Sequence, residues 1–133
     1  RVVNGYLHGN KEYTTADRKN VPYSTFISPA LSHVGLHKEE AEAAYPNVAV
    51  ASLPVANMPR GAVNQDPRGL FRVTVDKDTN LILGATLFGK NSEEIINLIK
   101  MAIDNKIPYT YIRDQIFTHP TMAENLNDVF KLI

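Results

Sequence analysis

Apolar and polar residues alternate most regularly at Phe71, Val73 and Val75, interleaved with Arg72, Thr74 and Asp76, and an apolar run follows from Leu81 to Phe88. Period-two alternation belongs to a strand with one buried face. Between the two runs, Lys77-Asp78-Thr79-Asn80 supplies turn-forming residues, so the stretch predicts a β-hairpin. Upstream, Val21–Ser28 is rich in β-branched and aromatic residues and predicts a first strand, with Pro22 suited to an edge or a first position. Pro29 ends that strand and Gly35 marks a turn. Lys38–Ala44 is built of good helix formers and stops before Pro46, predicting a short helix. Val48–Val55 reads as a second strand. The next stretch, Pro54–Gly69, holds three prolines and two glycines and reads as a long loop.

After Asn91 the period changes. Ile95, Ile96, Leu98, Ile99, Ala102 and Ile103 form the apolar stripe of a helix, with Asn91 and Glu94 spaced as a capping box and Asn105 and Pro108 closing it. Tyr109–Gln115 predicts a short helical turn. Ile116 to Pro120 cannot be helical up to the proline, because a residue before proline is pushed to extended geometry, so His119 sits on an extended approach. Thr121 then caps a last helix with Glu124 at its third position, and Leu126, Val129, Phe130 and Ile133 recur at i, i+3, i+4 and i+7. Residues 1–20 are polar and broken by Gly5, Gly9, Asn10 and Asn20, a lead-in to one domain over 21–133. Strands grouped by hairpin connectivity, with helices at the end, predict an α+β fold: an antiparallel β-sheet packed against helices. The repeated strand-helix alternation of a dinucleotide fold is missing.

Charge narrows the partners. The 133 residues carry 14 Lys+Arg against 14 Asp+Glu, which removes the long-range basic field that nucleic-acid binding and polybasic membrane attachment depend on. There is no cysteine, so the sequence itself carries no disulfide framework, thiolate metal site or thiol chemistry. No apolar run reaches a membrane span, and residues 1–20 lack a signal-peptide core, so a cytoplasmic setting is expected. A start at Arg1 suggests a piece of something longer.

Three stretches invite chemistry. Gly84–Asn91 nearly spells a phosphate-binding loop, but Asn91 stands where Ser or Thr is needed, and Ala85–Phe88 is apolar and strand-like rather than free to curl around phosphate. His33 and His37 have the spacing of a helical metal-binding pair, yet Gly35 between them breaks the helix that would align them, leaving two surface histidines and no metal site. His119-Pro120-Thr121-Met122-Ala123-Glu124 differs in kind. With a rotation of about 100° per residue, Glu124 lies about 200° from Leu126 and so points away from the buried stripe. A carboxylate beside an imidazole orients it and favours its charged form, a pairing able to move protons. The plain alternative is a packed histidine and half of a capping box. Alone, such a pair lacks a nucleophile, a flavin motif or a metal to serve.

Phe117–Glu124, with Val75-Asp76-Lys77, Ile82-Leu83-Gly84-Ala85 and the Asn91–Asp104 helix, resembles the C-terminal dimerisation domain of pyridine nucleotide-disulfide oxidoreductases, over residues 21–133. Ser28–Leu36 is similar to the start of that domain in glutathione reductase, dihydrolipoyl dehydrogenase and mercuric reductase. Asp17–Tyr23, Ile107–Tyr109 and Arg113–Pro120 most resemble the bacterial flavoprotein reductases linked to resistance to reactive chlorine species and hypothiocyanous acid. Met122-Ala123 departs from the Leu-Ser common in the family. The resemblance implies an FAD- and NAD(P)H-dependent homodimer joined through this domain. His119 would exchange the thiol proton of the partner subunit's redox disulfide, Glu124 would orient the imidazole, and the backbone of His119 and Pro120 would lie against the partner's flavin. The flavin-binding and nicotinamide-binding domains and the cysteine pair would belong to an N-terminal region, and the fragment alone would bind no cofactor and be inactive. The competing expectation is a self-standing dimerising module without chemistry.

Overall fold

A computed structural model of the chain describes residues 2–9 and 14–133. Five antiparallel strands form one sheet: β1 (Tyr23–Thr25), β2 (Leu31–Gly35), β3 (Val48–Pro54), β4 (Leu70–Asp76) and β5 (Ile82–Phe88), in the spatial order β1-β2-β5-β4-β3. The predicted hairpin is the β4–β5 pair at the sheet's centre, with Phe71 opposite Leu87 and Val73 opposite Ala85. Alternation sends Phe71, Val73, Val75, Ala85 and Leu87 to one face, where all are buried.

Helices cover that face. The longest, α4 (Ser92–Asp104), packs on β2 and β5 through Ile95, Ile96, Ile99 and Ala102. Next come α5 (Tyr109–Asp114) and α6 (Asn125–Phe130), packed on each other, and α6 also rests on β3 and β4. Leu126, Val129 and Phe130 are fully buried, as their spacing predicts, while Ile133 is partly buried against the same core. The α+β arrangement is thus an antiparallel sheet with its main helices, α4, α5 and α6, on one face.

The opposite face is ordered by register. Tyr23, His33, Thr86, Arg72 and Ser52 fall in one row across all five strands. Within the row His33 Nδ1 lies 2.8 Å from Thr86 Oγ1, and Arg72 Nε donates to Ser52 Oγ at 3.1 Å. The predicted short helix, α2 (Lys38–Ala44), begins beside this face, with the His37 ring stacked on His33.

Several expectations need correction. The first strand is only three residues long; Phe26 and Ile27 leave the sheet and stand exposed. Leu31–Gly35, not expected as a strand, is β2, paired on both sides, which buries Ser32 and His33 by giving their side chains hydrogen-bond partners. Gly35, at φ +79°, does end it: a Cβ there would lie 2.3 Å from the Leu83 carbonyl oxygen. The long loop contains a further helix, α3 (Pro59–Val63), started by Pro59 in its first turn. The lead-in carries a short exposed helix, α1 (Val2–Leu7). Leu98, placed in the buried stripe, is exposed. The capping box at Asn91 does not form: Asn91 is left-handed (φ 65°) and its side chain makes no cap bond, while Ser92 Oγ donates instead to the Ala30 carbonyl at 2.8 Å.

Candidate functional site

The chain between α5 and α6 is pinned at both ends before it presents anything. Ile112 is buried at the end of α5 and Phe117 is partly buried against the core, while Leu126, Val129 and Phe130 lock α6. Asn127 Nδ2 reaches back from α6 to donate to the carbonyls of Ile112 at 2.7 Å and Gln115 at 3.0 Å. Asn125, fully buried, donates to the carbonyls of Thr121 at 3.1 Å and Met122 at 3.1 Å. Residues 115–120 are non-helical as Pro120 requires, and the His119–Pro120 peptide bond is cis.

This frame brings the two predicted site residues together. His119 Nδ1 lies 2.9 Å from one carboxylate oxygen of Glu124 and 3.0 Å from the other. The imidazole is open, 73% exposed, whereas the carboxylate is mostly covered at 14%. A carboxylate offers only acceptors, so Nδ1 carries the proton and Nε2 is left facing outward with its lone pair free when the ring is neutral. Glu124 precedes α6 rather than occupying its third position, because the helix begins at Asn125. Half of the expected capping box exists: Thr121 Oγ1 accepts from the Glu124 amide at 3.2 Å. The other half does not, since the described hydrogen bonds of the Glu124 carboxylate both go to His119.

A groove of about 320 Å³ runs between α4 at Glu94 and Leu98 and the turn Thr121-Met122-Ala123, lined by neither His119 nor Glu124. A larger cleft of about 710 Å³, between Phe26–Ala30, Asn64–Arg68 and the start of α4, is not lined by either member of the pair. In it Arg68 grips both carboxylate oxygens of Asp66, at 2.7 and 2.8 Å, and holds that carboxyl down at about 2. Its guanidinium is therefore already engaged.

The near-miss phosphate loop is strand: Gly84–Phe88 belongs to β5, and Gly84 lies against Leu36 with no room for a side chain. The two histidines expected at the surface are not equivalent. His37 is exposed, but His33 is buried, with Nε2 donating to the Gly35 carbonyl at 3.0 Å, so both of its ring nitrogens are engaged. The Asn125 and Asn127 clamps, and the bond that Thr121 Oγ1 donates to the Thr118 carbonyl at 2.8 Å, go beyond the sequence expectations. The available signal was asparagine at two positions inside a helical stripe, where it is a poor helix former unless its side chain bonds backbone elsewhere.

Comparison with known proteins agrees with this architecture. The probable pyridine nucleotide-disulfide oxidoreductase RclA of Escherichia coli (strain K12) is 47% identical over all of this chain, which spans 30% of that protein's length. A mercuric reductase of Shewanella putrefaciens is 30% identical over 86% of the chain and 20% of its own length. Among solved structures, the HOCl-induced flavoprotein disulfide reductase RclA from Escherichia coli superposes with a TM-score of 0.94 at 47% identity, over 100% of this chain and 31% of that one. LpdA from Mycobacterium tuberculosis shares the fold, with a TM-score of 0.84 at 16% identity over 98% of this chain and 28% of that one. The profile of the family described as the pyridine nucleotide-disulphide oxidoreductase dimerisation domain matches residues 21–130, and the chain belongs to that family.

Proposed function

We propose that residues 21–133 are the interface domain of an FAD- and NAD(P)H-dependent, homodimeric disulfide reductase, with residues 1–20 leading in from its flavin-binding region. In this reading the domain lends His119 and Glu124 to the redox disulfide of the partner subunit. The observation that carries it is the clamp on one nitrogen: Glu124 holds Nδ1 and leaves Nε2 on the open side of an exposed ring. An imidazole fixed this way takes the proton of a thiol and later returns it, so that thiolate, the reactive form, is available for exchange. The chain has no cysteine, so the sulfur atoms come from elsewhere in the parent enzyme or its partner.

The residues fit a flavin enzyme in a limited way. With no glycine-rich dinucleotide turn, the chain's share in holding the partner's flavin would be the exposed backbone edge at His119 and Pro120. The flavin, when bound, carries electrons between the nicotinamide and the disulfide. Relatives more than three times as long leave room for the domains that would hold both.

The test uses the full-length enzyme and separates its half-reactions. His119→Ala should slow thiol-disulfide exchange by about 10²-fold, the scale of lost acid/base catalysis, with nicotinamide-to-flavin transfer nearly unchanged. Equal slowing of both, or of neither, would reduce the domain to a dimerising module without chemistry.

A further inference from the structure

His119 is poorly secured for a group of its proposed importance. Its ring is 73% exposed, and its described hydrogen bonds are those to Glu124 alone. The imidazole and the carboxylate also come from different pieces of backbone, one from the non-helical approach and one from the turn into α6. A change of about 1 Å between such pieces is enough to break the pair or aim Nε2 elsewhere.

One hydroxyl spans the gap. Thr121 Oγ1 donates to the carbonyl of Thr118, the residue just before His119, at 2.8 Å. The same oxygen accepts from the amide of Glu124 at 3.2 Å. A threonine hydroxyl has one proton to give, and this geometry spends it on the imidazole's side while a lone pair takes the carboxylate's side. The Thr121 carbonyl is itself held by the buried Asn125, so the hydroxyl is anchored to the core rather than floating with the loop. An ordinary N-cap makes only the second of these bonds. The first has no role in starting α6.

We infer that Thr121 is a positioning residue for the His119–Glu124 pair, its hydroxyl setting the spacing between the imidazole-bearing and carboxylate-bearing segments. The geometric part stands on the distances; the kinetic consequence rests on the proposed acid/base function.

Thr121→Val keeps the shape and removes both bonds, and Thr121→Ser restores the hydroxyl. Two readouts are taken: the His119 ring ¹⁵N shifts at alkaline pH, which report which nitrogen holds the proton, and the pH profile of thiol-disulfide exchange in the full-length enzyme. Thr121→Val should move His119 from the Nδ1–H form toward Nε2–H, slow exchange about tenfold and displace the pH profile, with Thr121→Ser recovering both. Wild-type shifts and rate in a folded Thr121→Val protein overturn the inference. Should that variant not fold, a folded Thr121→Ser protein with an altered tautomer overturns it equally, and one with the wild-type tautomer supports it. Altered shifts with an unaltered exchange rate leave the positioning role standing and remove the acid/base reading instead.

Discussion

The rings of His33 and His37 lie stacked, centroids 3.8 Å apart and planes 16° from parallel, at the point where α2 meets the sheet. Burial, the largest cause, pushes the His33 imidazole below its ordinary 6.5; the Gly35 carbonyl opposes the shift, His37 adds to it and Glu40 opposes it. The unfolded chain therefore binds this proton at a pH where the folded chain does not. Stability from His33 is complete above about pH 6.5 and is lost as pH falls through the lower, folded value. The melting temperature should be level between pH 8 and 7 and decline as pH falls below about 6.5. His33→Gln should flatten that decline, and an unchanged slope would place its origin elsewhere.

Gly84 faces backbone rather than side chains. A Cβ there would stand 2.1 Å from the Leu36 carbonyl oxygen and 2.7 Å from its nitrogen. Neither atom can swing aside, because Leu36 N donates to the Leu83 carbonyl at 2.9 Å. Gly84→Ala should cost at least about 2 kcal/mol in urea unfolding, the upper range for overpacking. A loss under about 0.5 kcal/mol would mean that β5 and the segment after β2 separate readily.

What could be read from the residues follows from how local each signal is. The β4–β5 hairpin and the Leu126-Val129-Phe130 stripe declare themselves because alternation and helical period are set by neighbours in sequence. The strand β2 does not, since Leu-Ser-His-Val-Gly buries a serine and a histidine that become apolar-compatible only when Ser24, Ser92 and Thr86 arrive from three other elements. At the site, His119 and Glu124 are five residues apart and their meeting is foreseeable. Asn127 bonding Ile112 and Gln115, 15 and 12 residues away, is not.

Apolar side chains left uncovered give the chain a tendency of its own. Phe26 is 81% exposed, Ile116 91% and Met101 61%, and the chain belongs to a dimerisation-domain family. The purified 133-residue chain should show an average mass in light scattering that rises with concentration from micromolar to millimolar. A constant monomer mass across that range would show that these side chains do not drive self-association.

His33 and His119 should hold their neutral protons on opposite nitrogens. His33 Nε2 faces the Gly35 carbonyl, which can only accept, so the proton is on Nε2 and Nδ1 accepts from the Thr86 hydroxyl. His119 Nδ1 faces the Glu124 carboxylate, so its proton is on Nδ1. Long-range ¹H–¹⁵N spectra above pH 8 separate the two forms for each ring. Glu124→Ala should shift His119 toward Nε2–H and leave His33 untouched, because only one of the rings owes its tautomer to that carboxylate. Finding Nε2–H in wild-type His119 would show that the pair does not persist in solution, and the proton-transfer role built on its open nitrogen would fall with it.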